Sequence, residues 1–253
     1  MARTFEAAGW QQYKMEWHDP HRELESLAHE VEIIDRALAS LVQAGVLAHG
    51  NYDRQKMLAH RQAVRERFDI PWTAISPRMQ RLLYAINAVA QPQVMVAVGI
   101  FCGNTFISNA GAAIGPGASY AAQHLVGLEI RPQEAARARR NVETLLPQVP
   151  TDRDVPTVEI LATDGIEWLR QTDETIDLLY LDADGPQGKR SIYREMVEAS
   201  HHALRPGSIV LAHNSVNAAH GLSDYLSYVR DPRHFRESVN MVVDDQGLEV
   251  SIL

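Results

Sequence analysis

Apolar and polar positions along this chain follow two different periods. Over residues 21–47 the apolar residues Leu24, Leu27, Val31, Ile34, Leu38, Leu41 and Val42 recur at intervals of three and four, which predicts an amphipathic helix. Asp19-Pro20 gives it a start and Gly45 stands near its end. Trp10, Tyr13 and Trp17 keep helical spacing upstream and read as a packing or dimer stripe. Asp69 to Pro77 carries two prolines and reads as a loop, followed by a helix through Met79, Leu82, Leu83, Ile86 and Val89.

From about residue 93 the period changes. Short apolar runs over 94–98, 125–130, 158–162, 176–183 and 208–213 alternate with helical patterns, the signature of parallel strands covered on both faces. Two further runs, 235–243 and 248–253, flank Asp244-Asp245-Gln246-Gly247, a turn signal that makes them a terminal antiparallel hairpin. The expected fold is α/β: a doubly wound, Rossmann-like, seven-stranded sheet with an N-terminal helical extension. The expected division is 1–90 as a helical cap or dimerisation region and 91–253 as the ligand-binding domain.

The first strand runs into Gly99-Ile100-Phe101-Cys102-Gly103-Asn104-Thr105. Glycines four apart at the carboxyl edge of a parallel sheet mark a nucleotide-type site. The spacing is not the G-x-G-x-x-G of dinucleotide enzymes. Acidic residues close the strands that follow: Glu129, Asp164 before Gly165, and Asp182 with Asp184. Singly each is an ordinary cap or surface charge. In series on the ligand edge they outline a site, with Glu129 suited to ribose hydroxyls and Asp164 to an adenine amino group.

Composition narrows the partners. The 253 residues carry a net charge of −8, which argues against nucleic acid as the main partner. The run Arg137-Ala-Arg139-Arg140 reads as a solvated helix face. The single cysteine, Cys102, reads as a small packing residue and permits no intrachain disulfide. No apolar run reaches the length of a membrane span, and the start lacks an apolar leader, so a cytoplasmic protein is expected.

From about Ile75 to Leu253 the chain resembles the catechol and caffeoyl-CoA O-methyltransferase family, class I enzymes that use S-adenosylmethionine. The resemblance is carried by Ala97-Val98-Gly99-Ile100-Phe101-Cys102-Gly103-Asn104-Thr105, by Leu181-Asp182-Ala183-Asp184, by Leu204-Arg205-Pro206-Gly207 through His213-Asn214, and by Asp231-Pro232-Arg233 through Gly247-Leu248-Glu249-Val250. It implies methyl transfer to a small-molecule hydroxyl, and the reading of the N-terminal helices as a contact surface adds the expectation of a homodimer. It assigns Gly99, Phe101, Gly103, Thr105, Glu129, Ile130, Asp164, Gly165 and Asp182 to the cofactor.

The chain departs from the family in three places. Ala97 stands where the family has Glu. The family's metal ligands Asp, Asp and Asn fall on Asp182, His213 and Asn214, so a histidine replaces a carboxylate. Three roles are open to His213: ligand in an altered divalent-metal site, metal-free general base, or structural residue. The family lysine is displaced into a longer loop, where Lys189 is the candidate accessory base and a solvated loop lysine the alternative. His220 falls near the acceptor site by proximity alone, and His201 and His202 lie away from the strand ends. Other readings are a catalytically silent S-adenosylmethionine-binding protein and, against the glycine spacing, an NAD-type oxidoreductase.

Overall fold

The computed structural model describes residues 3–73, 75–146, 155–185 and 191–253. Eight strands form one sheet in the order β1-β7-β8-β6-β5-β2-β3-β4. Strands β2 (Val94–Val98), β3 (His124–Glu129), β4 (Thr157–Ala162), β5 (Ile176–Leu181) and β6 (Leu204–His213) are mutually parallel, as their apolar runs predict. The last two strands, β7 (Glu237–Val242) and β8 (Leu248–Ile252), form the expected hairpin, and β8 lies antiparallel between β6 and β7.

Among the described residues the strand count is eight rather than seven. Arg3–Glu6, inside the region expected to be helical, is β1 and pairs in parallel with β7. Four residues, three of them exposed, are too short and too polar to leave an alternation pattern. The edge of β7 supplies the missing signal, because its free backbone groups take a partner.

Three N-terminal helices follow: α1 (Leu27–Gln43), α2 (Arg54–Arg67) and α3 (Pro77–Ala90). Helix α1 starts later than Asp19-Pro20 suggests, because Ser26 caps it by accepting from the His29 N–H. Ser76 caps α3 with Pro77 at its first position, where the missing N–H costs nothing. The stripe of Trp10, Tyr13 and Trp17 is not a helical face. Only Trp10–Gln12 makes a short 3-10 turn. Tyr13 lies under the Arg78 guanidinium at 3.8 Å, and Trp17 stacks on Trp72 at 5.5 Å. Tertiary packing here overrides a short local period.

The core does not break at residue 90. One buried cluster runs from Ile33 and Leu38 of α1 through Leu82 and Ile86 of α3 to Ala97, Leu125 and Val250 of the sheet. Buried charges pin these layers together: Glu30 receives both Arg61 and the fully buried Arg81, and Glu25 receives Arg78 in a two-bonded pair. Among the described residues no helix is long and apolar enough to cross a membrane.

The remaining helices are α4 (Asn104–Ala110), α5 (Pro132–Glu143), α6 (Gly165–Gln171), α7 (Ile192–Ala199) and α8 (Ser223–Val229). The chain leaves β2 in one direction to β3 and β4, then returns to β5 on the other side of β2. That reversal opens a crevice beyond the carboxyl ends of β2 and β5, where Val98 and Leu181 are paired.

Candidate active site

A cavity of about 1010 Å³ occupies this crevice. It lies at the upper end of usual ligand cavities, with room for a cofactor and an acceptor together. Its wall brings together Gly99, Phe101, Thr105, Glu129, Ile130, Asp164, Gly165, Asp182, His213 and Asn214, singled out from sequence in five separate segments. Gly103 is not on that wall: it caps α4 with φ 90°, and a Cβ there would press on Ala138 of α5 at 3.2 Å. Gly99 is also held for a close approach within the chain. With φ 82°, an added Cβ would meet Asp182 O at 2.4 Å, so glycine lets β2 turn beside the end of β5. Lys189 lies outside the described residues.

On the β2–β3–β4 side, Glu129 is 4% exposed and central. Its Oε2 accepts the Phe101 N–H at 2.8 Å, and its Oε1 accepts the N–H and Nε of Arg131 at 3.0 and 2.9 Å. A carboxylate has about four acceptor positions, so one on Oε2 stays open. Ile130 beside it is 66% exposed, an apolar side chain facing nothing in the protein. The Thr105 hydroxyl is buried without a partner among the described residues. Asp164 caps α6 through Oδ1, accepting from Ile166 and Glu167 N–H groups, which leaves Oδ2 free of that duty. Cys102 is buried, and burial raises its thiol pKa to about 11, as fits a packing residue.

The β5–β6 side is a hydrogen-bonded dyad. Asp182 Oδ1 meets His213 Nδ1 at 3.0 Å, and Asp182 Oδ2 accepts the Tyr180 hydroxyl at 3.2 Å. His213 is 2% exposed, and its Nε2 has no partner among the described residues. Burial alone would lower the imidazole pKa. The Asp182 carboxylate and its hydrogen bond, with Asp244 and Asp245 behind, outweigh burial and raise it. The Nδ1–H to carboxylate bond sets the tautomer that leaves an acceptor lone pair at Nε2.

Next to the dyad stand three amides. Asn214, with φ 65°, donates to Asn217 Oδ1 at 3.1 Å and to Gln246 Oε1 at 2.8 Å. Gln246 comes from the β7–β8 turn, where Asp244 accepts the N–H groups of Gln246 and Gly247 and also the Ser76 hydroxyl. Among the described residues no group of three or more His, Cys, Asp or Glu side chains is placed to hold a metal ion.

Sequence reasoning missed Trp17, Asn217 and Gln246 on this wall and Tyr180 behind it. Trp17, 54% exposed, lines the cavity with Trp72, which packs on Phe101 at 4.5 Å. The Thr73 N–H donates to Trp17 O at 2.8 Å and ties the two segments together. Asn217 and Gln246 were unmarked polar residues. Tyr180 was hidden in an apolar run, although the two-residue period of a strand puts it on the same side as Asp182. His220 does line the cavity, while His202 lies apart and bonds Thr172 O at 2.9 Å.

Comparison with known proteins agrees with this geometry. Residues 96–215 match the family model described as a methyltransferase domain. No curated protein matches. Among solved structures, an O-methyltransferase from Bacillus cereus in complex with SAH is 17% identical, with 88% of this chain and 99% of that chain covered at a TM-score of 0.53. A methyltransferase from Geobacter sulfurreducens is 22% identical over 87% of this chain and 100% of that chain, at a TM-score of 0.53. An SAH-bound methyltransferase from Podospora anserina is 16% identical over 92% and 99%, at a TM-score of 0.55. At these identities the likeness is one of fold. By its sheet order the chain has a Rossmann-like fold, and residues 96–215 within it are similar to a methyltransferase domain.

Proposed function

We propose that the protein transfers the methyl group of S-adenosylmethionine to a hydroxyl of a small-molecule acceptor, with His213 taking the hydroxyl proton. The observation that carries this reading is the buried, unpartnered Nε2 of His213, on the wall of the cavity that also holds the Gly99 turn and Glu129.

The β2–β3–β4 side fits the cofactor. Glu129 has an acceptor position that would take a ribose hydroxyl, Ile130 would offer an apolar face to the adenine, and the orphaned Thr105 hydroxyl would be available to the amino-acid end. Two of the similar proteins were solved with SAH, the demethylated cofactor, in support. When bound, the cofactor supplies an electrophilic methyl on a sulfonium.

The chain's own residues do the rest. His213 Nε2 accepts the acceptor's proton as the oxygen attacks. Asp182 holds the imidazole in the required tautomer and stabilises the imidazolium that forms. Tyr180 holds the second oxygen of Asp182. Trp17 and Trp72 cover the cavity and exclude water.

The donor set does not fit a resident Mg²⁺ on Asp182, His213 and Asn214. Asp182 and His213 bind each other, and Asn214 has both amide protons in a cluster with Asn217 and Gln246. The hard oxygen cage that Mg²⁺ needs is missing from that set. The dyad also speaks against a silent binding protein, since a structural histidine would not keep an orphaned nitrogen on a cavity wall.

The test is methyl transfer from labelled S-adenosylmethionine to a panel of phenols, catechols and hydroxy acids, alongside calorimetry with S-adenosylhomocysteine. Binding together with transfer to a hydroxyl is expected. Absence of both overturns the reading.

A further inference from the structure

Glu129 closes β3 as a buried carboxylate, 4% exposed, and its acceptor positions are mostly taken from within the chain. Oε2 accepts the Phe101 N–H at 2.8 Å. Oε1 accepts twice from one residue, from the Arg131 backbone N–H at 3.0 Å and from the Arg131 Nε at 2.9 Å. A carboxylate has about four acceptor positions, so among the described residues one on Oε2 is left. A ribose brings two neighbouring hydroxyls, and both are donors. One open position cannot receive both.

The two bonds on Oε1 differ in how easily they yield. The backbone N–H belongs to the residue that starts α5, followed by Pro132, with φ −88° and ψ 112°. A residue before proline is confined to such extended values, so this N–H stays in place. The Arg131 side chain is 54% exposed and reaches Glu129 along the cavity wall. Its guanidinium also lies over the Phe101 ring at 5.2 Å, a contact that does not depend on the carboxylate. Phe101 is held in turn by Trp72, with ring centres 4.5 Å apart. A guanidinium that lets go of Glu129 thus keeps a ring face and solvent. In the empty site its presence gives a buried carboxylate the counter-charge it would otherwise lack.

We propose that Arg131 is a placeholder for one ribose hydroxyl of the cofactor: its Nε holds Glu129 Oε1 in the empty site and gives that position up when the ribose arrives. The inference rests on the methyl-transfer reading, which puts S-adenosylmethionine on this side of the cavity. Binding is then partly an exchange. One hydroxyl takes the open position on Oε2 and adds a bond. The other replaces a charge-assisted bond that the protein already made, and so gains little. An analogue that lacks the exchanged hydroxyl is tolerated, because the guanidinium keeps its bond. Arg131 thereby sets how much each hydroxyl contributes to cofactor affinity.

The test is calorimetry on the full chain with S-adenosylhomocysteine and its 2′-deoxy and 3′-deoxy analogues. Wild type is compared with Arg131→Met, which keeps an apolar stem beside Phe101 and loses the guanidinium. In wild type one of the two analogues is expected to bind within about threefold of the parent compound, and in Arg131→Met the same analogue loses about tenfold or more. Penalties equal in the two proteins for both analogues overturn this inference alone, since Arg131 and the ribose would then not compete. A second readout uses wild-type protein with isotope-labelled arginine, so it does not depend on the variant folding. The Arg131 Nε–H resonance is expected to move when S-adenosylhomocysteine is added and to stay in place with the tolerated analogue. A resonance unmoved by S-adenosylhomocysteine, or moved equally by the tolerated analogue, overturns the inference too. No binding of S-adenosylhomocysteine to wild type overturns the functional reading as well.

Discussion

The helical layer and the carboxyl edge of the sheet each bury a histidine almost completely, and each leaves one ring nitrogen without a partner. In the helical layer, His60 of α2 stacks on Tyr84 at 5.6 Å and presses against Gly111, where no Cβ would fit. At the sheet edge, His213 meets Asp182 and faces the cavity. Burial, aided by the nearby Arg61, drives the His60 pKa down to about 4. Burial acts on His213 as well, but the carboxylate reverses it and the net shift is upward. An orphaned nitrogen among apolar neighbours marks packing. The same orphan, backed by a carboxylate on a residue that lines a cavity, marks chemistry.

The largest expected effect separates the two. His213→Gln lowers kcat by about 100- to 10,000-fold, the range of a lost general base, while calorimetry shows retained S-adenosylhomocysteine binding. Wild-type turnover in that variant would reduce His213 to a packing residue like His60. In the wild-type protein kcat rises with pH as His213 loses its proton, with an inflection above the ordinary histidine value of 6.5. A profile flat down to the pH of unfolding would contradict the base role.

His60 gives the opposite signature, read in stability. Its folded pKa lies below the unfolded value, so the unfolded chain binds the extra proton. Stability is therefore full above about 6.5 and falls as pH drops toward about 4. The shift corresponds to about 3 kcal/mol at the low end, and denaturant titrations of His60→Leu should lose that pH slope. An unchanged slope would place the acid sensitivity elsewhere.

Glu129→Ala tests the cofactor side. It should weaken S-adenosylhomocysteine binding by about 1–3 kcal/mol, through the lost ribose contact and the released Phe101 and Arg131 N–H groups. Unchanged affinity in calorimetry would remove Glu129 from the site. Smallest is Tyr180→Phe, which removes one hydrogen bond to Asp182 and should cost about 0.5–1.5 kcal/mol in kcat/KM, with the pH inflection of kcat moved. A lower rate with an unmoved inflection would make Tyr180 merely structural.

The two sides of the cavity were unequally legible in the sequence. The β2–β3–β4 side is built from successive strand ends, so apolar runs closed by Gly99, Glu129 and Asp164 announce it directly. The acceptor side is assembled from distant pieces. Trp17 reaches the wall only because residues 10–17 do not form the helix their spacing suggests, and Gln246 only because Asp244 pins the hairpin turn against Ser76. His213 was legible as a residue out of place, but its tautomer and its pairing with Asp182 needed the register of β5 with β6. Neither β1 nor the hydroxyl of Tyr180 left a local pattern strong enough to read.

The central claim is that a histidine–aspartate dyad, rather than a metal, prepares the acceptor. It is tested most directly by methyl transfer in protein stripped of divalent metal with a chelator. The account predicts a rate unchanged by stripping and by adding back Mg²⁺, Mn²⁺ or Zn²⁺, and abolished by His213→Gln. A rate that collapses on stripping and returns with one of those ions would contradict it.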